Sequence, residues 1–174
     1  LTSDQAVLRT TLLEGLISTA RHNVDAGNED IRLFEIARVY LPPADPRPEE
    51  RWRANGIVQG GFAEAKGIVE TLHEALKLDL ELERTQRPYL HPGKAAAFSG
   101  GLVGELHPER LEGEWGIFEL DLSDLLTRVP ARLVYEDVIT FPALHQDLAF
   151  AVPEQVTAGE LAAAASEAAG PELR

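Results

Sequence analysis

The sequence has no cysteine and no methionine. The absence of cysteine excludes disulfides and thiolate metal sites. No apolar run approaches the ~18 residues that a membrane-spanning helix needs, and no signal-peptide pattern is visible. Because no methionine opens the chain and Leu173-Arg174 follow a helix-ending Gly170-Pro171, we expect an internal fragment of a larger cytosolic protein.

Positive charge is also scarce, with 16 lysines and arginines against 29 acidic residues and a net charge of −13. This balance disfavours general nucleic-acid binding, which depends on cations that contact phosphates. It fits a soluble acidic surface, or a protein whose RNA contacts are local and whose protein partners cover the rest. The 174 residues, 44% of them hydrophobic, suffice for one domain or for one domain plus part of a second.

The first predicted element is an amphipathic helix that begins near the capping-box pair Thr2 and Gln5 and ends at Gly27-Asn28. Its apolar stripe consists of Leu8, Leu12, Leu16, Ile17, Ala20 and Val24. The next ten residues, Ile31–Tyr40, read as a strand, and apolar side chains on both of its faces predict a central place in a sheet.

Four prolines then predict an exposed loop, because proline removes ladder donors; they are Pro42, Pro43, Pro46 and Pro48. Further strands are predicted at Trp52–Gln59, at Leu78–Leu82 with an acidic outer face, and at Trp115–Leu122. A helix is predicted at Phe62–Leu76.

A tight hairpin is predicted where Gly100-Gly101 separates Ala95–Ser99 from Leu102–Leu106. His107-Pro108 predicts a short helical turn, and Ser123 is expected to cap a short helix through Leu126.

Pro130 marks a predicted domain boundary. Beyond it Leu133–Thr140 is expected to be extended and Asp147–Val152 to form a strand. Thr157 and Glu160 form a capping box before an alanine-rich helix that Gly170-Pro171 ends.

The sequence contains no recognisable catalytic or metal-binding set. The histidines have no ligand spacing; they are His22, His73, His91, His107 and His145. His91-Pro92-Gly93-Lys94 lacks the first glycine and the Ser/Thr of a phosphate loop and reads as a turn. Ser99-Gly100-Gly101 lacks the nucleophile-elbow pattern. We predict no catalytic, cofactor-binding or metal-binding residue in this chain.

Seven segments, in this order, resemble the β subunit of bacterial phenylalanyl-tRNA synthetase, towards its C-terminal part. They are LRTTLLEGLISTARHN (Leu8–Asn23), RLFEIARVY (Arg32–Tyr40), AKGIVETLHEAL (Ala65–Leu76), YLHPGKAA (Tyr89–Ala96), GELHPE (Gly104–Glu109), GIFELDL (Gly116–Leu122) and FPALHQDLAFAV (Phe141–Val152). No single segment is decisive, but the ordered set covers essentially the whole chain.

The resemblance implies an α+β architecture in two parts. Residues 1–132 would be a catalytically inactive domain of class II aminoacyl-tRNA synthetase type, an antiparallel sheet flanked by helices. Residues 133–174 would be the truncated start of a ferredoxin-like anticodon-binding domain. The intact cytoplasmic enzyme would be a heterotetramer of two α and two β subunits that charges tRNA(Phe) using ATP and Mg²⁺. Its catalytic residues would lie in the α subunit, and its editing site upstream of Leu1.

An active class II site needs a strand with Arg-x-Glu for the ATP α-phosphate and a glycine-rich turn that ends in a second arginine. Here Arg32, Glu35 and Arg38 have the wrong order and spacing. Glu119 and Asp121 put carboxylates where the other strand would need cations and glycines. The residues therefore predict that the chemistry has been lost.

The second part departs from the family at Gln146, which stands before Asp147 where an arginine is usual. Residues 133–174 hold one cation, Arg174, against seven acidic residues: Glu136, Asp137, Asp147, Glu154, Glu160, Glu167 and Glu172. Its tRNA contacts would lie elsewhere or be uncharged. Two alternatives remain open, an active class II-like ligase and an acidic protein–protein interaction module unrelated to synthetases.

Overall fold

The computed structural model describes residues 7–44, 47–132, 142 and 144–170. The chain divides into two compact units, Leu1–Arg132 and Leu133–Arg174. None of the helices in the described part is long and apolar enough to cross a membrane.

The first unit is a six-stranded antiparallel sheet with three helices, which confirms the predicted sheet flanked by helices. The helices are α1 (Leu13–Asp25), α2 (Gly61–Leu76) and α3 (Leu122–Arg128). The strands are β1 (Arg32–Ala44), β2 (Arg47–Gln59), β3 (Glu83–Arg84), β4 (Leu90–Phe98), β5 (Gly101–Leu106) and β6 (Trp115–Asp121). Their spatial order is β1-β2-β6-β5-β4-β3.

The sheet buries both faces, because successive side chains of a strand point to opposite sides. On one face Ile57 and Ile117 pack with α1, and on the other Val58 and Phe118 pack with α2. This arrangement defines an α1 face and an α2 face, and both continue across β2, β6 and β5.

The prediction that the first strand is central was wrong, because β1 lies at the edge of the sheet. Its apolar side chains on the α2 face are largely exposed, with Phe34 73% and Ile36 53% accessible. Apolar residues on both faces of a strand indicate a central position only when other elements pack on both faces. Among the described residues, β1 is well covered on its α1 face alone.

The predicted proline loop is also wrong at most of its positions, because β1 runs to Ala44 and β2 starts at Arg47. The ladder skips from Leu41↔Glu49 to Ala44↔Arg47, so a bulge takes up the prolines that cannot donate. Pro46 lies outside the described residues.

The first helix starts later than predicted, at Leu13, where the Leu13 N–H donates to Thr11 Oγ1 at 3.1 Å. Leu8 precedes the helix and is exposed. The predicted capping pair Thr2 and Gln5 lies outside the described residues.

Helix α2 and the hairpin β4–β5 are confirmed, but the turn consists of Ser99 and Gly100, because Phe98 pairs with Gly101. The predicted strand at Leu78–Leu82 is wrong, since the ladder holds only Glu83 and Arg84, although burial alternates there as expected.

Two smaller predictions in this unit also need correction. His91–Lys94 lies within β4, at an irregularity of its ladder with β5, rather than in a free turn. Helix α3 is capped by Asp121, whose side chain accepts from the Asp124 N–H, and not by Ser123. The predicted turn at His107-Pro108 is confirmed, and there the Arg110 N–H donates to the His107 carbonyl.

In the second unit the predicted helix is present as α4 (Ala158–Ala169), and its capping box between Thr157 and Glu160 is confirmed. The predicted strand at Asp147–Val152 is wrong, because these residues form no ladder and all are exposed. Residues 133–140 lie outside the described part of the chain, and the ferredoxin-like identity of this unit stays a prediction.

Candidate functional site

A group of polar side chains interrupts the apolar α1 face. Asn55 of β2 and Glu119 of β6 lie directly opposite each other in the ladder. Thr11, before α1, and Tyr89, before β4, reach the same place. We name these four residues the Glu119 cluster.

The carboxylate of Glu119 is the acceptor at the centre of the cluster. The Tyr89 hydroxyl donates to Oε1 at 2.8 Å, and the Asn55 amide donates to Oε2 at 3.0 Å. The Thr11 hydroxyl lies 3.5 Å from Oε2. Both oxygens of Glu119 are therefore occupied by donors from the chain itself.

Burial, reinforced by the negative charge of Glu119, raises the pKa of Tyr89. The phenol therefore stays protonated and keeps donating. Asn55 is 1% exposed, and its Oδ1 has no hydrogen-bond partner among the described residues. The cluster is set between strands and the start of α1, and its carboxylate accepts hydrogen bonds from neutral groups of the chain itself.

Arginines border the cluster, but each is held by a carboxylate. Arg51 and Arg53 lie 3.3 Å and 3.4 Å from Oδ2 of Asp121. Arg9 donates to Oε1 of Glu35 at 2.6 Å. Each of these three arginines is therefore paired with a carboxylate of the chain.

The two arginines that the sequence brought forward do not converge on the cluster. Glu35 pairs with Asn55 in the ladder and lies on the α1 face. Arg32 and Arg38 are each three positions away from Glu35 along β1, so they lie on the α2 face. Arg32 contacts Asp30 and Glu64, and Arg38 contacts Glu50 and stacks over the Trp52 ring at 5.2 Å. Of the five charged residues that suggested a loss of chemistry, Glu35, Glu119 and Asp121 lie on the α1 face.

Sequence reasoning missed Thr11, Asn55 and Tyr89. One signal was available, the asparagine Asn55 within the otherwise apolar stretch Ala54–Val58, since a buried amide needs partners. The histidines assemble no site: no group of three or more potential ligands meets in the described residues. His73 is buried, with its Nδ1 2.9 Å from the Val69 carbonyl oxygen.

The chemistry open to this cluster is limited by its charges. An anionic substrate such as a phosphate would meet Glu119 and Asp121 rather than free cations, so the face repels it. Glu119 is held in place by hydrogen bonds from Tyr89 and Asn55, so the protein's own groups fix its position. The arrangement links β2 and β6 to the start of α1 and to the residues just before β4.

Comparison with known proteins identifies one family. The model of the phenylalanyl tRNA synthetase beta chain CLM domain matches residues 1–122. The phenylalanine–tRNA ligase beta subunit of Moorella thermoacetica is 34% identical over 202 residues, covering 100% of this chain and 25% of that protein. The corresponding subunits of Thiobacillus denitrificans and Bacillus subtilis are 35% and 31% identical, and cover 99% and 100% of this chain. The chain spans about a quarter of the length of these relatives.

Solved structures show a likeness of fold. Two structures of pyrrolysyl-tRNA synthetase from Desulfitobacterium hafniense superpose with TM-scores of 0.52 and 0.51 at 19% and 18% identity. Each match covers 68% of this chain and 48% of the other. The class II synthetase-like fold that the sequence predicts is thereby confirmed.

Proposed function

The chain belongs to the phenylalanyl-tRNA synthetase β-chain family, and from this membership we propose that it is a non-catalytic structural module of a phenylalanine–tRNA ligase. In the assembled cytoplasmic enzyme this module holds the α subunit and presents the anticodon-binding domain. The enzyme is a heterotetramer of two α and two β subunits that attaches phenylalanine to tRNA(Phe). Membership of this family sets aside the alternative of an unrelated acidic module.

The observation that carries the proposal is the Glu119 cluster. A class II site develops negative charge on ATP phosphates and stabilises it with free cations. Here Glu119 occupies the sheet face, and Arg51 and Arg53 are bound to Asp121. The charges that an active site would use are already compensated inside the protein.

ATP and Mg²⁺ belong to the reaction of the intact enzyme. ATP phosphates would need free cations on the sheet face, whereas Arg51 and Arg53 are bound to Asp121 there. We therefore place no step of the reaction on this chain.

We propose that Leu133–Arg174 is the first part of the anticodon-binding domain. Support comes from relatives that match the whole chain, whereas the CLM model ends at residue 122. The capping box of α4 gives this unit a defined helix start.

Phenylalanine-dependent exchange of pyrophosphate into ATP tests the proposal, with α-subunit-containing ligase as the positive control. We expect no exchange by the chain alone. Exchange that is lost on Arg32→Ala or Arg38→Ala, but not on Arg21→Ala, would instead establish the alternative of an active class II ligase.

A further inference from the structure

The charges of the chain are unevenly distributed along its sequence. No aspartate or glutamate occurs between Glu83 and Glu105, and this is the longest interval without a carboxylate in a chain that holds 29 acidic residues. We name residues 84–94, at the start of this interval, the basic segment. Its basic side chains are those of Arg84, Arg87, His91 and Lys94. An anion that approaches this acidic protein therefore meets the least repulsion at the basic segment.

Most arginines and lysines in the described part of the chain are paired with a carboxylate, but two in the basic segment are not. Lys94 is paired, because its Nζ donates to Glu105 at 2.8 Å and 2.9 Å. Arg84 and Arg87 are exposed, and neither forms an ion pair within the described residues. Their Cα atoms are at most about 11 Å apart, since an extended residue spans no more than ~3.6 Å. The segment thus presents two uncompensated positive charges close together.

The turn that follows β3 positions the Arg87 side chain at the edge of the sheet. Arg84 belongs to β3, the last strand of the sheet, and the Leu90 N–H donates to the Arg87 carbonyl at 3.0 Å. Nη1 of Arg87 donates to the Thr85 hydroxyl at 3.3 Å and to the Gln86 carbonyl at 3.0 Å. Among the described residues these bonds leave Nε and Nη2 of Arg87, the pair of donors that can bind a phosphate bidentately.

A groove of about 370 Å³ lies beside Arg87. Nδ1 of His91 is 2.7 Å from the Pro92 carbonyl oxygen, which can only accept, so Nδ1 carries the hydrogen and Nε2 faces any ligand of the ring. The groove therefore combines a guanidinium and a ring nitrogen with apolar walls, a combination that suits the phosphates and sugars of a nucleic acid. Its lining consists of Gln86, Arg87, Pro88, Leu90, His91 and Pro92.

We propose that the basic segment contacts the sugar–phosphate backbone of tRNA in the assembled ligase, an inference that rests on the proposed function. With a net charge of −13, the chain repels a polyanion over most of its surface, so a close contact needs a region without carboxylates. Contacts to phosphates position the RNA and carry no sequence information. Two arginines are too few to bind tRNA tightly by themselves, which agrees with weak binding by the isolated chain.

The salt dependence of tRNA(Phe) binding tests this inference in the complete ligase, formed by the α subunit and a β chain of the relatives' length. Arg84→Gln and Arg87→Gln should each reduce the slope of log Kd against log salt concentration by about one, and raise Kd about five- to tenfold at physiological salt. Arg87→Lys keeps the charge and should keep the slope. Lys77→Gln removes an exposed charge outside the segment and, as the matched control, should change neither quantity.

Phenylalanine-dependent pyrophosphate exchange, which needs no tRNA, should be unchanged in all of these variants. This readout separates the inference from the proposed function, because its loss in the wild-type ligase would concern the proposed function alone. Equal salt slopes for the wild type, Arg84→Gln and Arg87→Gln would overturn the inference. It would also be overturned if these variants weakened the association with the α subunit and left tRNA binding unchanged, since the segment would then contact an acidic protein surface.

Discussion

The hydroxyl of Tyr89 donates a hydrogen bond of 2.8 Å to the carboxylate of Glu119. This bond links the residue just before β4 to β6, which lies two strands away in the sheet. Both groups are partly buried. Burial, together with the charge of Glu119 and this bond, raises the pKa of Tyr89 and keeps the phenol protonated, and the bond gives the carboxylate a donor from the chain itself.

Tyr89 gives a pH dependence of known sign. Its pKa is raised in the folded protein, so the unfolded chain loses this proton first, near the ordinary tyrosine pKa of about 10. The stabilising contribution is complete below that pH and declines as the pH rises above it. Urea unfolding from pH 8 to 11 should show a steeper loss of stability for the wild type than for Tyr89→Phe. Parallel curves would contradict this assignment.

Gly56 is predicted to be indispensable to the packing of the α2 face. A Cβ there would lie 2.3 Å from Cε1 of Phe118, so Gly56→Ala should cost about 1–3 kcal/mol in the free energy of unfolding. Gly67→Ala in α2 is the control, because no atom lies within 4 Å of its added Cβ, and it should stabilise by about 0.5–1 kcal/mol. Chemical denaturation measures both, and equal effects would show that Phe118 moves aside freely.

Part of the fold could be predicted from the sequence, because some elements leave local patterns in it. The helical periodicity of α2 and the apolar run of β6 are local patterns, and each identified its element. The capping box of α4 is local too. The edge position of β1 was not readable, because Phe34 and Ile36 have the pattern of buried residues although the described fold leaves them exposed.

The Glu119 cluster was only partly accessible to sequence reasoning. Glu119 stood out as a carboxylate on an apolar strand. Its partners Thr11, Asn55 and Tyr89 are separated from it by 108, 64 and 30 positions, and only the strand order brings them together. Local patterns do not encode such pairings.

Binding of tRNA(Phe) by the chain alone should be weak. The net charge of −13 leaves few cations that could release counterions, so we expect a Kd of roughly 10⁻⁴ M or weaker at physiological salt. Filter binding across a salt titration measures this, with the α-subunit-containing ligase as the positive control. Sub-micromolar binding by the chain would refute the expectation.

Residues Asp147–Val152 should exchange their amides at nearly unprotected rates in the dilute chain. They are exposed and belong to no ladder in the described part of the chain, so little should slow their exchange. The amides of Ile117 and Phe118, in the centre of the sheet, should be slow in the same sample and serve as the reference. Protection of Asp147–Val152 comparable to that of β6 would mean that this segment forms a stable strand in the isolated chain.

Glu119→Gln tests the central claim most directly, because it separates a structural carboxylate from a catalytic one. The account predicts a loss of about 1–3 kcal/mol in the free energy of unfolding of the chain, since the charge that accepts from Tyr89 and Asn55 is removed. It also predicts an unchanged kcat in the ligase assembled with the α subunit. The exposed Glu14→Gln serves as the matched control for both measurements. Unchanged stability together with a kcat at least about tenfold lower, equivalent to about 1.4 kcal/mol in the barrier, would contradict the account.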